Sequence, residues 1–140
     1  QLLQGQPLSI YGDGQQSRAF SYIADVVPYM ASSVNIAKAQ NEVFNIGSDT
    51  QYTVQALAHL IMDAMEINGT IRHLPARKEV VHAYADHGKM KEVFNLQQKE
   101  ATPIETGLKR MADWVKKNGA RQTKAFKAIE IYENLPKNWL

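Results

Sequence analysis

The sequence has no cysteine and no long apolar run, and both absences narrow what the chain can do. Without cysteine it has neither disulfide bonds nor a catalytic thiol. No apolar stretch approaches the roughly 18 residues that cross a bilayer, and the first residues lack the basic-then-apolar pattern of a secretion signal, so we expect a cytoplasmic protein. An initiating Met is absent too. The chain opens at Gln1, in what reads as a helix end entering a strand, and we expect a piece of a longer protein.

The composition is that of a globular domain, because 44% of the 140 residues are hydrophobic and 21% are charged. The net charge of +2 is unevenly divided: residues 1–70 carry two basic and six acidic side chains, and residues 71–140 carry fourteen and eight. Seven of the basic residues fall within 109–127, beside a single acid. This basic stretch could bind a polyanion such as nucleic acid, but solvated helix faces and a cationic helix end are the favoured interpretation.

Short strands and amphipathic helices alternate along the chain, which predicts one unit of mixed α and β structure. The predicted strands are 8–11, 20–23, 41–47 and 70–74, and the predicted helices begin at Asp25, Thr53, Asp86 and Thr102. Asp25 is expected to cap its helix, with Pro28 in the first turn. The run Thr102-Pro103-Ile104-Glu105 is typical of a capping box. The apolar tail "FKAIEIYENLPKNWL" is expected to pack against the rest of the chain.

The stretch "PLSIYGDGQQSRAFSYI" allows two interpretations. Gly12-Asp13-Gly14 begins like the glycine-rich loop that binds a dinucleotide, but Ser17 stands at the third glycine position and no helix follows at once. The tip of a β-hairpin is therefore the favoured interpretation.

Three charged residues pose a second question. Arg18, just after the turn, presents a planar and permanently charged fork that suits a phosphate or diphosphate. Arg77 and Glu79 lie two apart on an extended segment and so face the same way. One could bind phosphate while the other accepts hydrogen bonds from sugar hydroxyls. From spacing alone, surface side chains explain these residues better.

No residue pattern predicts a catalytic, cofactor-binding or metal-binding residue in this chain. His82 and His87 are five apart, with Asp86 beside His87, which is a weak metal signal. A Tyr-x-x-x-Lys pair is absent, because Gly88 and Pro136 stand four residues after Tyr84 and Tyr132.

Four segments in order resemble the C-terminal half of nucleotide-sugar epimerases and dehydratases. They are "PLSIYGDGQQSRAFSYIADVV", "NEVFNIGS", "LPARKEVVHAYADHGKMKEVF" and "TPIETGLKRMADWVKKNGAR". These enzymes form the extended short-chain dehydrogenase/reductase family, and the UDP-glucose 4-epimerase-like type is the most similar. The resemblance implies an α/β fold: the mixed α and β substrate-binding portion of an extended Rossmann-type enzyme, without its N-terminal dinucleotide-binding half.

The resemblance also implies a binding role for four residues. Arg18 and Arg77 match the two arginines that bind the diphosphate of the nucleotide sugar. Tyr11 matches the position whose backbone contacts the uracil, and Glu79 matches the acid that binds the nucleotide ribose. Many members read Arg-x-Gly-acid where this chain reads Arg77-Lys78-Glu79, one residue shorter, so the transfer to Glu79 is the less secure.

The family's glycine-rich NAD(P) loop and Tyr-x-x-x-Lys pair do not occur in this chain. The resemblance therefore implies a substrate-binding part whose NAD belongs to the full-length parent, with none bound by this chain alone. Its implied partners are a UDP-sugar and the missing N-terminal half; a homodimer stays open, and nucleic acid is disfavoured. Two alternatives remain, a non-catalytic nucleotide-sugar-binding module and a polyanion-binding protein that uses residues 109–127.

Overall fold

The computed structural model describes residues 1–94 and 101–119, and its strands form two small sheets. In the first sheet β1 (Leu8–Tyr11) pairs in parallel with β4 (Ile71–Leu74). In the second, β2 (Ser17–Ala19) lies between β3 (Gln51–Thr53), which is antiparallel to it, and β5 (His82–Ala83), which is parallel. The helices are α1 (Ile23–Ser32), α2 (Val54–Met65), α3 (Gly88–Phe94) and α4 (Ile104–Asn118). The mixed α and β architecture is as predicted.

The predicted hairpin is wrong, because Gly12-Asp13-Gly14 joins strands of two different sheets. The hydrogen bonds of β1 go to β4 and those of β2 go to β3 and β5, so β1 and β2 do not pair with each other. The turn itself was located correctly: Gly12 and Gly14 have φ of 70° and 77°, a left-handed conformation that glycine adopts without a steric penalty. The Oδ1 atom of Asp13 accepts the backbone N–H of Gln15 at 3.0 Å. The turn therefore carries the chain from one sheet to the other.

Helix α2 begins where predicted and is tied to this turn. The Thr53 hydroxyl accepts the backbone N–H of Ala56 at 3.0 Å, which makes Thr53 the N-cap of the helix. Two more N–H groups at the helix start bond to the turn and the residues after it. Val54 N–H donates to the Gln16 carbonyl and Gln55 N–H to the Gly14 carbonyl, both at 3.0 Å. The N-terminal groups of α2 are thus satisfied by the same segment that carries Arg18.

The main core lies where α2 packs against the chain start and α4. Its buried members are Leu2, Met65 and Ala112, and partly buried apolar side chains surround them: Leu8, Ile61, Met62, Ala64 and Ile67. A second, aromatic cluster centres on the buried Phe94, whose ring meets Tyr29 and Phe44 edge-on at centroid distances of 5.7 and 5.1 Å. These contacts hold α1, α3 and the segment around Phe44 together.

Several local predictions are wrong. Residues 20–23 do not form a strand, since the strand ends at Ala19 and α1 starts at Ile23, which places Pro28 beyond the first turn. Residues 41–47 form no strand either, although Phe44 in that stretch packs edge-on against Phe94. Phe44 packs against Phe94 without a strand partner, whereas Ile23 and Val43 are exposed.

The predicted caps at Asp25 and Thr102 are also wrong, because these two residues bond to each other. The Asp25 carboxylate accepts the Thr102 backbone N–H at 2.7 Å and its hydroxyl at 2.9 Å. Helix α4 consequently begins at Ile104 with Pro103 as its cap residue, and Gly119 follows its last residue, Asn118. Asp25 thus anchors the approach to α4 instead of starting α1.

Each helix in the described ranges is too short or too polar to cross a membrane. The apolar tail predicted to pack against the rest of the chain lies outside the described residues.

Candidate functional site

Two chain segments, 8–19 and 71–83, run side by side in the same direction. They are paired at one end by β1 and β4 and at the other by β2 and β5. The Gly12 N–H donates to the Leu74 carbonyl at 2.9 Å and the Ser17 N–H to the Val81 carbonyl at 2.8 Å, which extends both ladders toward each other. In each segment a short connection joins the two strands, residues 12–16 in one and 75–81 in the other. The two connections lie side by side. The candidate site lies there.

Arg18 and Glu79 come from opposite segments and form an ion pair. The Nη2 atom of Arg18 lies 2.8 Å from Glu79 Oε2, and the two side chains are 28% and 39% exposed. The Nη1 atom of Arg18 donates to two backbone carbonyls, Ser17 at 2.7 Å and Val81 at 3.3 Å. The guanidinium is therefore fixed by the sheet backbone as well as by the carboxylate.

Arg77 lies on the ring of Tyr11. Its guanidinium carbon is 3.2 Å from the ring centroid, a close cation–π contact. A guanidinium that lies over a ring can still donate to an anion through the N–H groups at its edge. Tyr11 thus supports the second arginine of the site.

Gln16 connects the two pairs. Its side-chain amide donates to the Tyr11 carbonyl at 2.9 Å and lies 3.4 Å from Glu79 Oε1. Sequence reasoning did not assign Gln16 to the site. The available signal was its spacing, since Gln16 and Arg18 are two apart on an extended segment and share a face.

The structure thus brings together all four predicted binding residues, Tyr11, Arg18, Arg77 and Glu79. Although Arg77-Lys78-Glu79 is one residue shorter than the usual family pattern, Glu79 lies in the cluster, beside Arg18 and Gln16. The binding roles of these residues remain a prediction.

A second polar cluster is built around His87. The ring is 4% exposed, its Nδ1 lies 2.6 Å from Asp49 Oδ1, and the other carboxylate oxygen accepts Lys91 Nζ at 2.8 Å. Gly47 approaches the other side of the ring so closely that an added Cβ would lie 3.3 Å from His87 Nε2. The hydrogen bond from Lys91, followed by the one from His87, holds the pKa of Asp49 below its usual value, and Asp49 raises the pKa of Lys91. This cluster joins α3 to the loop before β3.

A cavity of about 870 Å³ lies beside this second cluster, between α1, the loop before β3 and the start of α3. Asp25, Asp49 and Lys91 line it, whereas the four predicted binding residues do not. These charged groups already bond to one another or to Thr102. We place the candidate site at the cluster of Arg18 because that cluster holds all four predicted binding residues, which the cavity lining lacks.

The histidines of the weak metal signal bond to different partners. His82 Nδ1 lies 2.9 Å from the Ser17 hydroxyl, whereas His87 contacts Asp49. In the part of the chain that the structure describes, no three His, Asp or Glu side chains are grouped to hold a metal ion. A dinucleotide does not fit the Gly12–Gly14 turn either, because this turn leads into β2 and not into a helix N-terminus that could face a pyrophosphate.

Two of the four basic residues in the described part of the stretch 109–127, Arg110 and Lys116, contact other parts of the fold. Lys116 Nζ lies 3.0 Å from Glu66 Oε2, and the Arg110 guanidinium lies 5.4 Å from the Tyr22 ring centroid. Residues 120–127 lie outside the described residues. These contacts give Arg110 and Lys116 a structural role on α4.

No protein-family profile matches the chain. Individual relatives do. The chain is 31% identical to UDP-N-acetyl-alpha-D-glucosaminuronate decarboxylase of Bacillus cytotoxicus, in a match that covers 80% of this chain and 36% of that enzyme. The UDP-glucose 4-epimerase of Thermotoga maritima, solved with UDP-glucose, has a TM-score of 0.73 and 31% identity, over 83% of this chain and 37% of the enzyme.

The UDP-glucuronic acid 4-epimerase of Bacillus cereus, solved with UDP-glucuronic acid and NAD, has a TM-score of 0.72 and 27% identity, over 83% of this chain and 37% of that enzyme. The chain thus spans little more than a third of the length of these relatives. It belongs to the nucleotide-sugar epimerases and dehydratases of the extended short-chain dehydrogenase/reductase family, and its mixed α and β fold is that of their C-terminal part.

Proposed function

We propose that this chain is the nucleotide-sugar-binding part of an NAD-dependent epimerase or dehydratase, and that its ligand is a UDP-sugar. In this proposal Arg18 and Arg77 bind the diphosphate, Glu79 accepts hydrogen bonds from the ribose hydroxyls, and the backbone of Tyr11 contacts the uracil. The observation that carries the proposal is the convergence of these four residues from two distant segments. The related enzymes solved with UDP-glucose and UDP-glucuronic acid support the ligand class.

The arginine geometry suits a diphosphate for a physical reason. A guanidinium donates in a planar fork to two oxygens at once, and charge-assisted hydrogen bonds contribute about 1.5–3 kcal/mol each. Arg18 is held by the Ser17 and Val81 carbonyls before any ligand arrives, so little side-chain entropy is lost when it binds. Two such groups would supply most of the affinity for the phosphates.

The chemical step of such an enzyme would need a further, dinucleotide-binding part. The sequence of this chain has no Tyr-x-x-x-Lys pair, and its glycine turn does not fit a dinucleotide. Helix α1 and the turn after it support a further part, because they present an exposed apolar stripe at i, i+4, i+7 and i+11: Ile23, Val27, Met30 and Val34. A stripe of this spacing is usually covered by protein. We propose that the dinucleotide-binding part packs there.

The test is a titration of the 140-residue chain with UDP and UDP-glucose, followed by backbone amide NMR. We expect shifts at Tyr11, Arg18, Arg77 and Glu79, with weak affinity, because only part of the pocket is present. Arg18→Gln and Arg77→Gln should each weaken UDP binding about tenfold or more, the equivalent of one lost charge-assisted bond.

Arg110→Gln is the matched control. It removes the same charge from α4, where the guanidinium lies over Tyr22, and it should change UDP affinity little. No shift at any of the four residues at about millimolar UDP would contradict the proposal, as would equal weakening by all three arginine variants.

A further inference from the structure

The carboxylate of Glu79 is bonded to the guanidinium of Arg18, the group proposed to bind phosphate. Glu79 Oε2 accepts from Arg18 Nη2 at 2.8 Å, and its Oε1 lies 3.4 Å from the Gln16 amide. Both carboxylate oxygens are therefore held by donors of the site itself. With Arg18 donating also to two backbone carbonyls, the three partners use three of its five N–H groups.

An anion that approaches Arg18 must therefore meet a fixed negative charge beside the positive one. The Coulomb repulsion between two anionic groups a few ångströms apart is felt even at a partly exposed site. An approaching anion also competes with Glu79 for the N–H groups of Arg18. A ligand that brings hydroxyl donors to Glu79 can offset this cost, because the carboxylate then accepts new hydrogen bonds. A ligand that brings only phosphate oxygens cannot.

We propose that Glu79 is a specificity-determining residue that selects a nucleoside diphosphate over bare pyrophosphate. This inference rests on the proposed function, since it assumes that Arg18 and Arg77 bind a diphosphate. The ribose hydroxyls of a nucleoside diphosphate are the donors that compensate Glu79, and inorganic pyrophosphate has no equivalent. Gln16 is the positioning residue, because its amide ties the Tyr11 carbonyl to the Glu79 carboxylate and keeps the acid beside Arg18.

The test compares UDP with inorganic pyrophosphate, by calorimetric titration of the 140-residue chain and of its Glu79→Gln variant. Glutamine keeps the shape of the side chain and an acceptor oxygen but removes the charge. We expect the variant to bind pyrophosphate about tenfold more tightly and UDP no more tightly, so the preference for UDP falls at least tenfold. Glu79→Asp, which keeps the charge, should retain more of the preference.

Glu92→Gln on the exposed side of α3 is the matched control, since it makes the same change in net charge away from the cluster. Its UDP-to-pyrophosphate ratio should equal that of the unmodified chain. The inference is overturned if Glu79→Gln leaves the ratio unchanged or weakens both ligands equally while the variant melts like the unmodified chain. A variant that fails to fold is replaced by Gln16→Leu, which should lower the ratio in the same direction; an unchanged ratio there overturns the inference as well.

Failure of this inference is distinguishable from failure of the proposed function. If UDP binding is absent, or is insensitive to Arg18→Gln and Arg77→Gln, the proposed function is wrong. The inference about Glu79 is then wrong as well, because it rests on that function. If UDP binding depends on both arginines and the Glu79→Gln ratio does not move, only the selection by Glu79 is wrong.

Discussion

Gly14 and Gly5 form a matched pair that tests how tightly the Gly12–Gly14 turn is packed against α2. Both have a positive φ, 77° at Gly14 and 67° at Gly5. A Cβ at Gly14 would lie 3.1 Å from Gln55 Cβ and 3.3 Å from the Gln55 backbone nitrogen, whereas a Cβ at Gly5 would have no atom within 4 Å. Replacing each by alanine therefore imposes the same backbone strain but adds a steric conflict at Gly14 alone.

The expected magnitudes follow from that difference. A left-handed conformation costs a non-glycine residue about 1–2 kcal/mol, partly offset by about 0.4–1 kcal/mol because alanine restricts the unfolded chain. Gly5→Ala should thus lower the free energy of unfolding by about 1 kcal/mol. Gly14→Ala should lose about 1–3 kcal/mol more, the usual cost of overpacking, because the Gln55 backbone belongs to the first turn of α2 and cannot move aside.

Urea unfolding followed by circular dichroism measures both free energies, and thermal melts give an independent value. Each kcal/mol corresponds to a fall of roughly 3–5 °C in Tm for a chain of this size. Equal losses for the two alanine variants would refute the reasoning, since they would mean that Gln55 yields to the added methyl group and that the turn is not held against α2.

Two further predictions concern single carboxylates. Asp25→Ala should lower the free energy of unfolding by about 2–3 kcal/mol, because Thr102 loses two hydrogen bonds to a charged acceptor. Urea unfolding measures this loss. A loss no larger than that of Asp25→Asn would contradict the prediction. Asp49 has a pKa below its ordinary 3.8 because of its bonds to Lys91 and His87. A depressed folded pKa gives stability that is present above the ordinary value and is lost as the pH falls through the lowered one. The urea midpoint of Asp49→Asn should therefore fall less between pH 5 and about pH 2 than that of the unmodified chain, and parallel curves would count against this role of the pair.

The elements that the sequence predicted well are those whose signals are local. Thr53, where a helix was predicted to begin, caps α2 by a hydrogen bond to the N–H group three residues along the chain. The wrong predictions share one cause: contacts with residues far away in the sequence determine the local structure. Asp25 looks like a helix cap until Thr102, 77 residues away, takes its carboxylate. The hairpin looked sound because nothing near Gly12 shows that β1 pairs with β4.

The candidate site shows the same division. Spacing alone favoured surface side chains for Arg18, Arg77 and Glu79, and only the family resemblance put them in one place. The ion pair between Arg18 and Glu79 joins residues 61 positions apart. Gln16 was not predicted, because a glutamine two residues from an arginine carries no signal of its own. Its role depends on its contacts with the Tyr11 carbonyl and the Glu79 carboxylate.

The side-by-side course of segments 8–19 and 71–83 sets the order in which this molecule can assemble. Closing a loop of about sixty residues costs chain entropy before the strand contacts repay it, and topologies of this kind fold slowly. During synthesis, Tyr11 and Arg18 leave the ribosome well before Arg77 and Glu79 exist. The proposed nucleotide ligand would therefore bind only the finished arrangement, so it would slow the unfolding of the native chain without guiding the early steps of its folding.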